Sequence, residues 1–190
     1  MELIIASNNK HKIKEIKQIL GGKFDKIVSL KEAGITHETV EDGNTFLENA
    51  GKKAREIAEI SGMAALADDS GICAHALGGA PGIMSARFAG AHGDDEANND
   101  LLLSSLADKE DKGAHYTCAM VIAYPDGKEI SAEGHMYGRI IEERRGNGGF
   151  GYDPIFVAEG EERTVAEMTE EEKNAISHRA KALAKILELL

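Results

Sequence analysis

Tryptophan is absent from this chain of 190 residues, which also holds only 3 prolines, 2 cysteines and 5% aromatic residues. Cys73 and Cys118 lie far apart and form no Cys-x-x-Cys pair, which argues against a disulfide or zinc site and predicts two buried, reduced thiols. No apolar run approaches the roughly 18 residues of a membrane-spanning helix, and the N-terminus resembles a buried strand rather than a leader. The composition therefore predicts a soluble, cytoplasmic protein with no role at a membrane.

Basic residues are also in short supply, because 33 Asp and Glu against 22 Lys and Arg give a net charge of -11. Such a charge opposes binding to a nucleic acid polymer. A small phosphorylated ligand remains compatible, since a few clustered cations and a divalent metal can reverse the sign locally. With 42% hydrophobic residues, the chain is long enough for one sizeable core, and we predict a single domain over residues 1–190.

Apolar residues recur at strand spacing and at helix spacing in alternating stretches of the chain. Helix starts are marked by capping residues, such as Asp94 with Asp95 and the capping box that begins at Thr169. This alternation predicts a mixed α/β fold. The predicted elements are a strand at 3–6, a helix through Ile13 and Leu20, a helix at about 45–60, a strand at 64–67 that ends before Asp68, a helix from Asp95 that turns Leu101, Leu102 and Leu106 inward, hairpin strands at 116–124 and 129–138, and one final helix from 169.

The first polar cluster lies between the first strand and the first helix. Free amides and the dipole at a helix start favour an anion, and Lys12 adds a mobile charge, so the segment is compatible with a triphosphate cradle. It has no glycine before the lysine, unlike a Walker loop, and an Asn-capped helix with surface lysines explains it equally well. The cluster comprises Ser7, Asn8, Asn9, Lys10, His11 and Lys12.

A second cluster consists of acids on both sides of the helix predicted at 45–60. Glu41 and Asp42 precede this helix, and Asp68 and Asp69 follow the next strand. Carboxylate oxygens at strand and loop ends suit Mg²⁺, so the four acids are predicted to form one magnesium site with Lys53 facing the phosphates. The simpler alternative is a set of turn formers and a helix start, with a solvated lysine.

A glycine-rich loop at 148–154 carries two aromatic rings, Phe150 and Tyr152, and then Asp153. Glycine lets backbone approach a ligand closely, and an aromatic ring offers a face on which a nucleobase stacks. The loop therefore predicts a slot of the size of a base. A tight turn between two strands is the simpler interpretation.

The last polar cluster is Lys173 with His178 and Arg179 near the start of the final helix. Next to a base slot, these donors can reach an oxygen on the edge of a base. Taken alone, a His–Arg pair on a helix is usually a solvated surface.

All these clusters, in this order, closely resemble the inosine triphosphate pyrophosphatase family, which hydrolyses non-canonical purine nucleoside triphosphates. The resemblance implies a two-lobed α/β fold with a central mixed β-sheet flanked by helices and a substrate cleft between the lobes. It also implies a homodimer and dependence on Mg²⁺. The matching stretches are 6–12, 41–53, 67–71, 78–87, 148–156 and 169–179.

Motif by motif, the resemblance implies that Asp69 is the catalytic carboxylate and, with Glu41, a magnesium ligand. Asn8 stands where many family members carry glycine, so its side chain is expected to crowd the phosphate loop. The implied substrate-binding residues are Ser7, Asn8, Asn9, Lys10, His11, Lys12, Lys53, Ser70, Phe150, Gly151, Tyr152, Asp153, Lys173, His178 and Arg179.

We therefore predict an Mg²⁺-dependent hydrolase that converts ITP, dITP or XTP to the monophosphate and pyrophosphate. Asp69 would orient or deprotonate the attacking water, although an ordinary aspartate is a weak base. His178 and Arg179 would favour a base with an oxygen at position 6 over adenine. Two alternatives stay open: a Maf-like nucleotide pyrophosphatase, whose usual serine and arginine start is missing here, and a nucleotide-binding regulator without turnover.

Overall fold

A computed structural model describes residues 2–190, and these residues form two compact units built from interleaved segments. The first unit contains the chain up to Asp69 together with Cys118–Gly134 and Arg179–Leu190, and the second contains Ser70–Thr117 and His135–His178. The single domain over residues 1–190 stays a prediction. The strands are β1 (Glu2–Ile5), β2 (Lys26–Ser29), β3 (Ala64–Ala74), β4 (Gly113–Ala123), β5 (Glu129–Ile140) and β6 (Phe156–Ala158), and the helices are α1 (Lys10–Leu20), α2 (Phe46–Ser61), α3 (Asp95–Leu106), α4 (Glu170–Ile176) and α5 (His178–Leu189).

The strands form one mixed sheet in the order β2-β1-β3-β4-β5-β6. Strand β1 runs parallel to both β2 and β3, whereas β6 is antiparallel to β5. A mixed sheet flanked by helices confirms the fold class predicted from the sequence. The substrate cleft between lobes stays a prediction.

In the first unit, helices cover both faces of the sheet. Helix α2 packs on one face, where Ala54 belongs to the same buried cluster as Ala67 of β3. Helices α1 and α5 pack on the opposite face, where Ile16 and Leu183 join Leu66. Successive side chains of a strand point to opposite faces, so β3 serves both layers in alternation.

In the second unit, α3 packs through Leu102 and Leu106 against a core that includes Tyr116 and Phe156. The sequence correctly predicted the helix and its Asp94 cap. The prediction that Leu101 also points inward was wrong, because this side chain is 36% exposed. Neighbouring residues of a helix lie about 100° apart, so two adjacent leucines cannot both face one narrow contact.

Strand β3 is longer than the sequence predicted, and Asp68 and Asp69 lie inside it rather than after it. A close contact at Gly71 accompanies this extension. A Cβ at this position would lie 2.3 Å from the Ser85 Oγ and 2.4 Å from the Gly82 carbonyl oxygen. Gly71 therefore marks a close approach to a continuing strand, a situation in which glycine also occurs.

The predicted final helix is in fact two helices, α4 and α5, separated by Ser177 in an extended conformation with φ -66° and ψ 152°. The capping box at Thr169 is confirmed, because its side chain accepts from the Glu172 amide and the Glu172 carboxylate accepts from the Thr169 amide. Serine competes for backbone hydrogen bonds and so favours helix ends over helix interiors. As a result, His178 starts a new helix.

The structure also bears on two predictions made from composition. Within residues 2–190, none of the helices combines the length and apolarity needed to cross a membrane. Both cysteines are free thiols, as predicted, but only Cys118 is fully buried and Cys73 is partly accessible. Burial raises the pKa of each thiol above its ordinary value.

Candidate active site

Asp69 of β3 faces helix α2, which supplies two contacts to its carboxylate. Asn49 Nδ2 donates to Asp69 Oδ2 at 3.0 Å, and Lys53 Nζ lies 3.9 Å from Oδ1. Asn49 and Lys53 are four positions apart and therefore lie one above the other on the same helix face. The Thr45 side chain caps the helix start and fixes the position from which both residues project. The sequence named Lys53 but did not assign a role to Asn49.

The Lys53 ammonium is shared by two carboxylates, those of Glu41 and Asp69. It donates to Glu41 Oε1 and forms the longer ion pair with Asp69. Burial alone would lower the pKa of Lys53, but Asp69, Asp68 and Glu41 together raise it above its ordinary value of 10.5. Lys53 is therefore a permanent cation between the two predicted metal ligands.

Asp69 itself has an altered acidity. Burial raises its pKa above the ordinary value of 3.8, and Glu41 adds to this, although Lys53, Lys12 and Asn49 act in the opposite direction. A carboxylate with a raised pKa is a better proton acceptor near neutral pH. The burial of Asp69 thus makes it a stronger base than an ordinary aspartate.

Asp68 points to the other face of β3 and is almost completely buried. Lys12 Nζ and Arg179 Nη2 each lie 3.1 Å from its Oδ2, and the Cys118 thiol donates to the same oxygen at 3.9 Å. Burial raises the pKa of Asp68, but Lys12, Arg179 and Lys53 hold it well below its usual range. Asp68 is therefore a fixed negative charge that orients Lys12.

Arg179 is only 1% exposed, and its guanidinium is occupied by acids of the first unit. Nη1 donates to Glu15 and Nη2 donates to Asp68. Burial lowers the pKa of Arg179, but the neighbouring Asp68 and Glu15 raise it further above its ordinary value. Sequence reasoning assigned Arg179 to the nucleobase, whereas the structure gives it a buried ion-pair network as its partner.

The prediction that four acids form one magnesium site was wrong. Asp42 pairs with Lys52 at 2.8 Å and is 67% exposed, and Asp68 is paired on the opposite face of β3. Of these four acids, Glu41 and Asp69 are the two that form ion pairs with the same lysine, Lys53. Within residues 2–190, no group of three or more His, Cys, Asp or Glu side chains is arranged to hold a metal. Two carboxylates nevertheless fit Mg²⁺, which takes hard oxygen ligands and completes its shell with waters and substrate phosphates.

The predicted phosphate loop forms an ordered helix cap. Asn9 Oδ1 accepts from the amides of His11 at 3.0 Å and Lys12 at 3.2 Å, while the Asn9 amide donates to Ser7 Oγ at 3.2 Å. The Asn9 cap of the capped-helix alternative is therefore confirmed, but Lys12 is not a surface lysine, because its ammonium pairs with the buried Asp68. The binding of phosphate by this loop stays a prediction. A phosphate that uses these amides must replace the Asn9 carboxamide. The charged lysine side chains are therefore easier for a phosphate to reach than the amides.

Ser7 and Asn8 line a groove of about 890 Å³ beside helix α1. Asn8 is exposed, and φ is negative at every residue other than glycine in the described chain 2–190, so asparagine fits this loop without strain. Sequence reasoning noticed only one of the groove's basic residues. The lysines that line it are Lys10, Lys14, Lys17 and Lys31.

In the second unit, Asp153 is a buried acceptor that organises the glycine-rich loop. Its Oδ2 accepts from Lys173 Nζ at 2.8 Å and from the Phe150 amide at 3.1 Å. Its Oδ1 accepts from the Tyr116 hydroxyl at 3.2 Å. The carboxylate thus holds the loop to β4 and α4.

Two pairs of side chains surround this carboxylate. Lys173 Nζ lies 4.5 Å from the centre of the Phe150 ring, and His178 stacks on Tyr116 with ring centres 4.7 Å apart and planes 9° from parallel. Tyr116 was predicted only as a strand residue, and no local motif identifies it. Ser70 lies on β3 in the same unit and is partly accessible. The structure thus brings Lys173 next to Phe150 and His178 next to Tyr116, and the binding of a base by these residues stays a prediction.

Gly151 and Tyr152 have contacts that anchor the loop. The Gly151 amide donates to Asp95 Oδ2 at 2.7 Å, and its carbonyl accepts from Asn99 Nδ2 at 2.9 Å, with a φ of +62° that favours glycine. The Tyr152 ring is buried, and its hydroxyl donates to the Ser85 carbonyl at 2.8 Å. Of the two aromatic rings in the loop, Phe150 is the more accessible.

Comparison with known proteins agrees with this geometry. The model of the Ham1 family matches residues 3–189. The chain belongs to the Ham1 family. A dITP/XTP pyrophosphatase from Streptomyces coelicolor is 50% identical over 194 residues, which cover 95% of this chain and 92% of that protein. Another from Bacillus subtilis is 47% identical over all of this chain and 96% of that protein.

Solved structures of Ham1 proteins have the same fold. A HAM1 protein from Coxiella burnetii gives a TM-score of 0.90 at 37% identity, with 100% of this chain and 98% of that chain covered. A nucleoside-triphosphatase described as a dITP/XTP pyrophosphatase, from Mycobacterium abscessus, gives 0.80 at 44% identity, with 98% and 99% covered. The family predicted from the sequence is therefore confirmed, and the Maf-like alternative is not supported.

Proposed function

We propose that this protein hydrolyses non-canonical purine nucleoside triphosphates, such as ITP, dITP and XTP, to the monophosphate and pyrophosphate. One observation carries the proposal: Asp69 is buried, accepts a hydrogen bond from Asn49 and lies beside a lysine that is shared with Glu41. Phosphoryl transfer depends mainly on positioning and charge, and this arrangement supplies both. The names of the Streptomyces and Bacillus relatives point to the same reaction.

In the proposed reaction, Asp69 orients or deprotonates the water that attacks the α-phosphorus. The Asn49 amide fixes one oxygen of the carboxylate, so the other oxygen has a defined direction. Glu41 and Asp69 would hold Mg²⁺, whose charge stabilises the triphosphate and acidifies water. Lys53 and Lys12 carry the positive charges that attract the triphosphate, and each is held in place by an ion pair with a carboxylate.

The second unit supplies the recognition of the base in this proposal. Phe150 stacks on the purine, and stacking contributes roughly 1–3 kcal/mol with little dependence on base identity. Lys173 and His178 are the donors that prefer an oxygen at position 6, as in hypoxanthine and xanthine, over the amino group of adenine. We expect kcat/KM to be largest for ITP or XTP, smaller for GTP and smallest for ATP. Arg179 is assigned to the scaffold of Asp68 instead.

We further propose a cytoplasmic homodimer that binds neither nucleic acid polymers nor membranes. The two free thiols agree with a reducing compartment, and the net charge of -11 opposes polyanions. Light scattering of the purified chain tests the dimer, and it would contradict this part of the proposal by giving the monomer mass at micromolar concentration.

Release of pyrophosphate from ITP, with Mg²⁺ and with a chelator, is the experiment that tests the activity. We expect release only with the metal, and ¹⁸O-water should label the monophosphate because attack occurs at the α-phosphorus. Orthophosphate as the product, or label in pyrophosphate, would refute the chemistry. A nucleotide-binding regulator without turnover would bind ITP but release no pyrophosphate. The same experiment therefore distinguishes such a regulator from an enzyme.

A further inference from the structure

Two histidines outside the proposed active site meet on the accessible surface of the second unit. His75 follows β3 directly, and His115 lies on the neighbouring strand β4. His75 Nε2 and His115 Nδ1 are 3.0 Å apart, and the ring centres are separated by 5.3 Å with planes tilted by 42°. Neither side chain has a role in the hydrolysis proposed above.

This nitrogen–nitrogen distance fits two ligands of one metal ion. Two imidazole nitrogens at about 2.1 Å from an ion lie about 3.0–3.4 Å apart for angles between octahedral and tetrahedral values. His115 lies on β4 and His75 is the first residue after β3, so the end of one strand and the neighbouring strand set their spacing. In the metal-free chain, the same two atoms share a hydrogen bond, which requires one nitrogen to donate and the other to accept.

We propose that His75 and His115 form a bidentate site for a divalent transition-metal ion of the Zn²⁺ or Ni²⁺ class. Imidazole prefers such ions, whereas Mg²⁺ prefers oxygen, so the site differs in chemistry from the carboxylate pair Glu41 and Asp69. Water completes the coordination shell, in agreement with the absence of any larger ligand group within residues 2–190.

Two neighbouring rings restrict the orientation of the His115 imidazole. The His135 and Tyr137 rings lie 5.9 Å and 5.3 Å from the His115 ring and limit its rotation. These neighbours support a ring that is already oriented before the ion arrives.

Gly113 provides a way to disturb the site while keeping both histidines. A Cβ on this residue would lie 2.7 Å from His75 Nδ1 and 2.9 Å from Asp111 Oδ1, so a methyl group would displace the His75 ring. Gly113→Ala is therefore expected to weaken metal binding by moving one ligand.

Calorimetric titration with Zn²⁺ in excess Mg²⁺ tests the site on the full chain. We expect one ion per chain, and His75→Gln or His115→Gln should each weaken binding at least about tenfold, since even groups behind metal ligands contribute 10–100-fold. The double variant His75→Gln, His115→Gln should lose no more Zn²⁺ affinity than either single variant, because the one imidazole that remains in a single variant cannot chelate the ion. His92→Gln, at an exposed histidine in a separate loop, is the matched control and should bind as the wild type does.

Imidazole ¹⁵N NMR of the wild type identifies the ligands without any substitution. Zn²⁺ should shift Nε2 of His75 and Nδ1 of His115 while His92 stays unchanged. Undiminished binding in folded His75→Gln and His115→Gln variants, or shifts confined to other histidines, would overturn the proposal. A variant that fails to fold leaves the wild-type NMR result as the deciding measurement.

Discussion

The polar cluster of the first unit and the aromatic cluster of the second unit are built on different physical principles. Around Asp68 and Asp69, every cation is held by a carboxylate, and the pKa values of the acids are displaced in opposite directions. Around Phe150, a single buried ion pair between Lys173 and Asp153 is surrounded by rings. A charge in a site that excludes water interacts strongly with reacting groups, whereas aromatic rings contribute binding energy through the apolar area that they bury.

The same contrast exists within the first unit, between two adjacent residues of β3. Asp68 is ionised by Lys12 and Arg179, and Asp69 is made less acidic by burial on the opposite face. Asp68 therefore has a structural role, and Asp69 is available for catalysis. This comparison predicts that substitutions around Asp68 change stability and that those around Asp69 change turnover.

The largest expected effect is on stability, in Arg179→Met. Removing the guanidinium deprives each of the buried carboxylates Asp68 and Glu15 of one ion-pair partner, and breaking a buried pair in this way costs about 3–5 kcal/mol. Urea unfolding measures the loss. The matched control is Arg55→Met, because Arg55 pairs with Glu129 on the surface and is 55% exposed, so its loss should cost less than about 1 kcal/mol. Equal costs for both variants would remove the distinction between buried scaffold and surface pair.

Asp69→Asn should lower kcat for ITP by at least about 10²-fold while leaving the fold intact, because a positioned base contributes on that order. Asp42→Asn is the control, since this acid is exposed and pairs only with Lys52. Steady-state rates at saturating Mg²⁺ measure both. Near-normal turnover in Asp69→Asn, or an equal loss in Asp42→Asn, would contradict the assignment of Asp69.

Phe150→Ala should weaken binding of every purine triphosphate by roughly 1–3 kcal/mol, because stacking is almost independent of base identity. The ratio of kcat/KM between ITP and ATP should stay nearly unchanged. Tyr137→Ala removes another exposed ring and should leave nucleotide binding unaltered. A collapse of the ITP-to-ATP ratio in Phe150→Ala would mean that the ring selects the base.

The smallest effect concerns pH. Protonated Asp69 can neither accept a proton nor bind a metal, so kcat/KM should fall as the pH drops through the pKa of Asp69, by up to about 1.4 kcal/mol per pH unit. Because burial raises this pKa above 3.8, the midpoint should lie above that value. Lys53 opposes the rise, so Lys53→Met should move the acidic limb to still higher pH. An acidic limb at or below pH 3.8, or one that moves down in Lys53→Met, would contradict the raised pKa.

Local patterns were sufficient to predict the elements that have strong end signals. Helix α2 has its Thr45 cap and its Gly62 stop, and it lies within a residue or so of the predicted span. The extension of β3 through Asp68 was missed, and it is accompanied by the close contact between Gly71 and Ser85. Sequence spacing cannot reveal such an approach.

The site was predicted as a set of residue types, but not as a set of partners. Glu41 and Asp42 are adjacent, and only the fold decides that Lys53 binds the first while Lys52 binds the second. Arg179 was assigned to the base because a donor next to a base slot can reach an oxygen on the base edge, whereas its pairing with Glu15 joins residues far apart in the chain. Choice of ion-pair partner is a tertiary property.

Strand β3 is sensitive to changes of length. An insertion or deletion of one residue between Ala64 and Asp68 would exchange the two faces of everything that follows, since side chains alternate with a period of two. Asp69 would then point toward Arg179, and Asp68 toward Asn49. A change of two residues would keep each carboxylate on its own face but would move it about 6–7 Å along the strand, so it should disturb the contacts without exchanging the faces.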